Sequence, residues 1–421
     1  MKEPSSSTLN TTHTLSITKV LIATGFIVTL AMGIRHGFGL FNLPVTQANG
    51  WGRETFGLAI ALQNLMWGIT QPIFGGLADR FGGYRIMLLG GVLYTLGLVG
   101  SGLSTTSMGF VLTTGVVLGM ALACTTYSVV YGVIGRHCPP EKRVWAMGIA
   151  AAMGSFGQFF MIPLEQELIT HFDIQNALFI LAIMTSFMLP FSLILREKNF
   201  TPVQTGNDQT IIQAIKEAFG QRSFQLLLIG YFVCGFQVVF IGTHLAPYLK
   251  DLSNIYPAVG HPEVATIALA LVGLFNIFGT YHASKIDGKF PKHLFLSIIY
   301  ISRSIVIAGF LLLPLSPITT YIFAALIGFL WLSTVPLTNG IIAHIFGVKY
   351  MAMLSGFAFL SHQIGGFIGA YLGGYLFDVT KSYNIVWIIS IALGIIAALV
   401  NIPINEKELV RTPQGSVAAA S

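Results

Sequence analysis

The sequence has very little charge. Only 9% of its 421 residues are Asp, Glu, Lys or Arg, against 54% hydrophobic, and its mean hydropathy is +0.76. A soluble domain carries about 25% charged residues, so this chain cannot coat a water-facing surface, and lipid is the solvent for most of it. Alternating apolar patterning is also missing. The apolar runs are long and unbroken, which selects helices over a closed barrel as the way to satisfy the backbone in lipid. Cysteine is scarce: Cys124, Cys138 and Cys234 have no paired spacing, which excludes a disulfide framework and a cysteine metal site. No basic stripe accompanies the net charge of +6, so nucleic acid is not an expected partner. There is no catalytic triad, metal cluster or nucleotide fingerprint, and the Gly-rich turns are neither followed by Lys-Ser/Thr nor preceded by a strand. Neither an enzyme nor a cofactor is expected.

What is there is a series of apolar segments long enough to cross a bilayer, which takes roughly 20 residues each. Twelve spans are predicted: 19–41, 55–76, 86–103, 108–135, 144–164 and 177–195, then 224–249, 263–284, 294–314, 319–346, 351–377 and 383–404. Residues 1–18 read as a polar, Ser/Thr-rich tail without the basic-then-apolar order of a cleaved signal. Residues 19–195 form one six-helix bundle and 223–404 a second. They are joined by a polar linker, 196–222, with a short amphipathic pattern around 211–219, and residues 405–421 form a closing tail.

An even number of spans puts both ends on one side. That side carries 17 of the 22 Lys and Arg residues, the other loops only Arg53, Lys250 and Lys381, and the remaining two, Arg35 and Arg303, fall inside spans. The positive-inside rule makes the first side cytoplasmic. The expected location is the inner or plasma membrane, multi-pass, with both termini cytoplasmic and the chain monomeric.

The halves repeat at a constant offset of 208 residues: Asp79 with Asp287, Gly148 with Gly356, and Gly157 with Gly365. Duplicated six-helix halves related by an axis along the membrane normal are an arrangement of transporters.

One polar knot stands out, Gly75-Gly-Leu-Ala-Asp79-Arg80-Phe-Gly82-Gly-Tyr-Arg85. It resembles the signature loop between helices 2 and 3 of the major facilitator superfamily. Ala283-Ser-Lys-Ile-Asp287, with Lys289 and Lys292, resembles a degraded second copy between helices 8 and 9. The resemblance covers residues 19–404. It implies an all-α membrane protein with twelve transmembrane helices in two pseudo-symmetric six-helix bundles. Finer features are similar to the monocarboxylate-porter and oxalate–formate-antiporter branch: Gly50-Trp51-Gly52-Arg53, Leu62-Gln63-Asn64-Leu65-Met66-Trp67-Gly68 with Gln71-Pro72, Gly148, Gly154 and Gly157-Gln158, and His362-Gln363-Ile364-Gly365. Members of that branch commonly carry an arginine in helix 8 as the anion ligand, and residues 263–284 contain none, with Asn276 and Gly279 nearby.

Arg35 is the sharpest candidate for substrate contact. An arginine near the bilayer centre costs roughly 2.5–3.5 kcal/mol even on the lenient insertion scale, so it faces the bundle interior or a watery cavity. All 16 acids read as lying at span ends, in loops or in tails, with Glu165, Glu167 and Asp378 nearest to a span. No deep carboxylate is therefore expected beside Arg35. A guanidinium without a partner invites an external anion, and its planar fork fits a carboxylate. The alternative is that Arg35 bonds helix carbonyls or snorkels to the surface. Arg303, midway along helix 9, has the same two readings, anion contact or structural hydrogen bonding.

His36 and His244 are related by the 208 offset, and with His362 they are candidates for proton transfer, since imidazole titrates near neutrality. Each is equally a hydrogen-bonded helix contact. Tyr127, Tyr131, Gln63, Trp67, Asn276 and Gln363 are candidates for orienting a small polar ligand or for bonding helix to helix. Asp79, Arg80, Arg85 and Asp287 read as gating elements, with Asp79 capping or pairing a neighbouring helix end and the arginines holding the loop at the inner face. The function expected is secondary active transport of a small organic anion, a mono- or dicarboxylate, by alternating access, through proton symport or anion exchange. A buried-carboxylate proton relay is not expected. The alternatives are an efflux carrier for neutral small molecules or drugs and a membrane sensor that binds without transport.

Overall fold

The computed structural model describes residues 15–196, 211–285, 290–347 and 351–409. Among these there are helices and short connections and no strand. Twelve long helical segments follow one another: α1 Ile17–Asn49, α2 Arg53–Phe81, α3 Gly83–Leu103, α4 Ser107–His137, α5 Pro140–His171 and α6 Ile174–Ile194, then α7 Arg222–Asn254, α8 Pro262–Ser284, α9 Lys292–Leu312, α10 Pro317–Phe346, α11 Met351–Thr380 and α12 Asn384–Asn401. Ten of them are apolar and long enough to cross a membrane by length and composition alone; α2 and α11 have 29 and 30 residues. A short helix, Ile211–Gly220, lies in the linker.

Buried side chains form two cores, one per six-helix half. Phe38, Phe56, Tyr94 and Leu98 belong to the first, and Phe240, Phe310, Phe323 and Trp387 to the second. Large apolar residues such as Ile183, Phe187, Ile305, Leu312 and Ile388 are exposed. In water that surface would be an aggregation hazard; in a bilayer it is the lipid-facing side.

Within the first half, α1 and α5 run side by side in four-residue steps. Gly25 meets Met153, Thr29 meets Gly157, Gly33 meets Met161 and Gly37 meets Glu165. Gly157 is needed because the Thr29 carbonyl occupies the place of a Cβ. Gly365, its partner at the 208 offset, does the same for the Phe232 carbonyl where α11 packs on α7. The repeat is thus visible as one packing solution used twice, small residues letting helix backbones approach closely.

Several boundaries differ from the sequence reading. The first span does not stop at residue 41. It runs on through a 3-10 turn, Phe38–Phe41, and a further helix, Asn42–Asn49. It ends where Gly50 takes the left-handed conformation, φ 65°, as a helix-ending glycine does. The tenth span is not continuous, because α10 breaks between Leu330 and Thr334. The fifth span does not end at residue 164. It continues to His171, because Glu165-Gln166-Glu167 keeps the helical period: Glu165 and Leu168 turn inward while Glu167 turns out.

The two halves meet on the side away from the chain ends. Each hydrogen bond between described residues of opposite halves lies on that side or at mid-height; Asn276 Nδ2 to Ser155 Oγ (3.0 Å) is at mid-height. Gly39 of α1 sits on the Gly242 carbonyl of α7, and Gly57 of α2 on the Ala370 carbonyl of α11. Toward the chain ends, an added side-chain carbon at Gly76, Gly148 or Gly356 would have nothing within 4 Å.

Candidate substrate site between the two bundles

Gly33 is the midpoint of Ile17–Asn49, so Arg35 lies about 3 Å along the axis from the centre of the span. Its neighbours come from α2. Arg35 Nη2 donates to Asn64 Oδ1 at 2.5 Å, and the guanidinium stands 5.2 Å from the Trp67 ring centroid, a cation–π distance. Asn64 and Trp67, three residues apart on one helical face, are themselves fixed. Asn64 Nδ2 donates to the Ile60 carbonyl at 2.7 Å, and Trp67 Nε1 to Thr126 Oγ1 at 3.0 Å. Arg35 has no ion pair among the described residues, and its Nε has no hydrogen-bond partner.

Arg35, His36, Gln63 and Gln158 from the first half and Val238, Thr243, Leu269 and Trp331 from the second wall a cavity of about 20 Å³, room for about one water. Four polar atoms of these lining residues are buried without partners: Arg35 Nε, Gln63 Oε1, Gln158 Oε1 and Trp331 Nε1. Buried polar groups are normally paired, so four unpaired ones around one small space mark a place that expects a polar guest. His36 Nδ1 is 2.7 Å from the Met32 carbonyl. A carbonyl only accepts, so Nδ1 carries a hydrogen.

Trp331 was not anticipated as a site residue. It stands at the break of α10, whose freed backbone groups are satisfied by other helices. Arg303, 1% exposed, donates through Nε to the Leu330 carbonyl at 3.1 Å and through Nη2 to the carbonyls of Leu330 and Trp331. Asn276 Oδ1 accepts from Leu332 N at 3.0 Å. Arg303 and Asn276 therefore hold the break that presents the Trp331 indole. The sequence signal was an aromatic with a polar N–H inside an apolar run.

The other candidates do not reach this cavity. Tyr127 and Tyr131 stack on each other, centroids 5.6 Å apart, and the Tyr127 hydroxyl lies against Gly154. His244 is paired at both nitrogens, with the Ala370 carbonyl (2.8 Å) and the Tyr383 hydroxyl (3.3 Å). The offset that pairs it with His36 does not carry over to its surroundings. His362 Nδ1 lies 3.1 Å from Gln363 Oε1 and its ring packs on Tyr231 and Phe359. Arg80 and Arg85 are exposed, Arg85 donating to Tyr84 Oη at 3.0 Å. Asp287 and the side chain of Asp79 lie outside the described residues.

On the far side the two halves are joined by charges that lie outside the Gly75–Arg85 loop and its second copy. Arg53 of α2 pairs with Asp251 of α7 (2.5 and 2.6 Å) and donates to Tyr383 Oη at 3.0 Å. Asp378 of α11 accepts from Arg53 N at 3.1 Å and Glu54 N at 2.7 Å, capping α2. Tyr371 donates to Glu54 Oε1 at 2.9 Å.

The reading that no acid lies deep does not hold. Glu165 is 0% exposed, and neither carboxyl oxygen has a hydrogen-bond partner. In the sequence, the two further polar residues that follow it give the segment the look of a span end.

Comparison with known proteins agrees with this architecture. The model of the Major Facilitator Superfamily matches residues 21–370. The MFS-type transporter YcxA of Bacillus subtilis (strain 168) is 25% identical, covering 93% of this chain and 96% of that protein. Monocarboxylate transporter 13 of Bos taurus is 22% identical over 88% of this chain and 85% of that one, and monocarboxylate transporter 4 of Mus musculus 25% identical over 82% and 74%. Among solved structures, a bacterial homologue of the human lysosomal transporter Spinster, in an inward-facing and unoccupied conformation, has the same fold, with a TM-score of 0.70 at 14% identity over 91% of this chain and 96% of that one. A matching family model over most of the length, two repeated six-helix halves and a polar cavity between them agree: the chain is a multi-pass membrane transporter of the Major Facilitator Superfamily.

Proposed function

We propose that the protein is a secondary transporter of a small organic anion, a mono- or dicarboxylate, working by alternating access across the inner or plasma membrane with both chain ends cytoplasmic. One observation carries the substrate class. Arg35 is a buried cation near the middle of α1 that makes no ion pair among the described residues, and Arg35 and Trp331, each with an unpartnered N–H, line one cavity. Two donors and a fixed positive charge suit a carboxylate. Gln63 and Gln158 present unpartnered amide oxygens that would accept from a substrate hydroxyl. The monocarboxylate transporters among the relatives favour the same class.

The cavity is too small for a carboxylate as it stands, so the halves must separate before substrate enters. The far side is held by Arg53, Asp251 and Asp378. This state is accordingly the one that opens to the cytoplasm. Rocking about the mid-height contacts exposes the same site alternately to the two sides.

The test is counterflow of labelled lactate, pyruvate and oxalate in proteoliposomes, with wild type and Arg35→Ala. Wild type is expected to exchange at least one of them, and Arg35→Ala to lose the exchange while remaining folded. Exchange by Arg35→Ala at the wild-type rate defeats the anion reading.

A further inference from the structure

The short helix of the linker, Ile211–Gly220, takes no part in the transport site. It meets α7 through one residue, Gln221, whose extended backbone (φ −90°, ψ 121°) turns the chain. The helix therefore does not prolong α7 but leaves its axis at the end of the span. Ala214 and Ala218, one turn apart, are both buried, and Ala218 belongs to the core of the second half. This line of alanines sets the helix across the end of the bundle. The Phe219 ring packs on Phe224 of α7 and on Phe357 of α11, centroids 5.4 Å away in both cases, and Phe224 packs on Phe346 of α10 at 5.5 Å. Gln225 Nε2 donates to the Phe219 carbonyl at 2.7 Å. An aromatic cluster thus fastens the helix to the ends of three helices of the second half.

The two flanks of this helix differ. Successive residues are about 100° apart around the axis. Measured from the line of Ala214 and Ala218, one flank carries Ile215, Phe219 and Ile212, the other carries Glu217 and Gln213, and Lys216 is directly opposite the alanines. The bundle leaves much of the apolar flank open: Ile212 is 67% exposed and Phe219 39%. A helix at the edge of a membrane, apolar along one flank and polar along the other, matches the boundary between acyl chains and headgroups. The charges indicate which lipid. Lys216 borders Ile212 and Phe219 and is exposed, as is Arg222 at the start of α7. The side of the chain ends carries 17 of the 22 Lys and Arg residues, and such a side attracts anionic headgroups.

We propose that the linker helix is a lipid-docking surface whose partner is anionic phospholipid. Ile212 and Phe219 sink between the acyl chains of the leaflet on the side of the chain ends, and Lys216 and Arg222 hold its headgroups. Each Lys or Arg close to an anionic surface strengthens such a hold by roughly fivefold. The Phe219 cluster passes the hold to the ends of α7, α10 and α11. The proposal is independent of what the protein carries.

The test uses the full chain reconstituted in vesicles. The three native cysteines are buried, so a nitroxide label can be attached through Ile212→Cys on the apolar flank or through Gln213→Cys on the polar one. Its collisions with oxygen, which concentrates among acyl chains, are compared with its collisions with a water-soluble nickel chelate. In phosphatidylcholine vesicles holding about one third phosphatidylglycerol, the label at 212 is expected to favour oxygen by at least about threefold relative to the label at 213. In phosphatidylcholine alone, or with Lys216→Gln in the mixed vesicles, that contrast is expected to fall by at least about twofold, whereas Lys216→Arg keeps it. Equal ratios at the two positions overturn the docking. A label at 212 shielded from both reagents shows that protein covers the flank, and overturns it as well. A contrast that responds neither to headgroup charge nor to Lys216→Gln overturns the assignment to anionic lipid.

Discussion

Arg53 on α2 grips Asp251 on α7 with both terminal guanidinium nitrogens, at 2.5 and 2.6 Å, across the boundary between the two halves. The same guanidinium stands 3.7 Å from the Phe377 ring centroid, and Asp378, next in the chain, caps the helix that Arg53 begins. An ion pair, a cation–π contact and a helix cap therefore act on one contact between α2 and the second half, and all three must release when this side opens.

The first prediction concerns that latch. Asp251 is partly solvated, which limits the worth of the pair to about 1–2 kcal/mol even in two-pronged geometry. Asp251→Asn is then expected to shift the balance toward the outward-open state by roughly tenfold. Spin labels at Gln47 and Asn254, both exposed on that side, should show a larger long-distance population in the variant. Identical distance distributions would show that the pair is incidental to closure.

The second prediction separates two kinds of close glycine contact. Gly39 meets the other half, at the Gly242 carbonyl, whereas Gly365 meets the Phe232 carbonyl of its own half. Backbone cannot yield as a flexible side chain does, so alanine at either place costs about 1–3 kcal/mol. For Gly39→Ala that cost falls on the closed-outside state alone. Transport should drop and outward-side labelling rise, with little change in thermal unfolding. For Gly365→Ala the cost falls on every state, and the unfolding temperature should drop. The same stability loss in both variants would contradict this division.

How much of this was legible in the sequence depends on how local each cause is. Lipid as solvent, the spans and the duplicated halves follow from composition and from a fixed offset, and they needed no tertiary information. Glu165 is hidden in the sequence because three successive polar residues look like a helix end. The buried face running from Gln158 through Met161 and Ile162 to Glu165 and Leu168 is a period that the same sequence contains. The latch has no local signal at all, since Arg53 and Asp378 are 325 residues apart. The break in α10 is likewise set from outside, by Arg303 and Asn276. A run of apolar residues carries no mark of a distant guanidinium that will take its carbonyls.

The third prediction tests that account of α10. Arg303→Met keeps the stem of the side chain and removes the guanidinium donors to the Leu330 and Trp331 carbonyls, leaving only the weak Cys234 thiol on the latter. Leaving buried carbonyls unsatisfied costs about 1–3 kcal/mol, so the unfolding temperature should fall. Arg303→Lys should not restore it, because an ammonium lacks the planar fork that spans two successive carbonyls. A lysine variant as stable as wild type would mean that charge alone matters there.

The fourth prediction turns on the indole that the break presents. Trp331 Nε1 is buried without a partner beside a cavity that also holds the unpartnered Arg35 Nε. If the two groups share one anion, removing either donor weakens binding, but not equally. Trp331→Phe keeps an aromatic ring in place and deletes a single neutral donor, worth about 0.5–1.5 kcal/mol. The expected effect is a rise in KM of roughly three- to tenfold with the maximal rate little changed. Arg35→Lys keeps the charge but loses the planar fork, and its loss should be larger, since hydrogen bonds to charged groups contribute about 1.5–3 kcal/mol. The double variant decides whether the two donors meet the same ligand. Donors on one anion are coupled, so the combined loss should differ from the sum of the single losses by more than about 0.5 kcal/mol. Strict additivity would place Trp331 outside the substrate's reach and leave its indole to pack the wall.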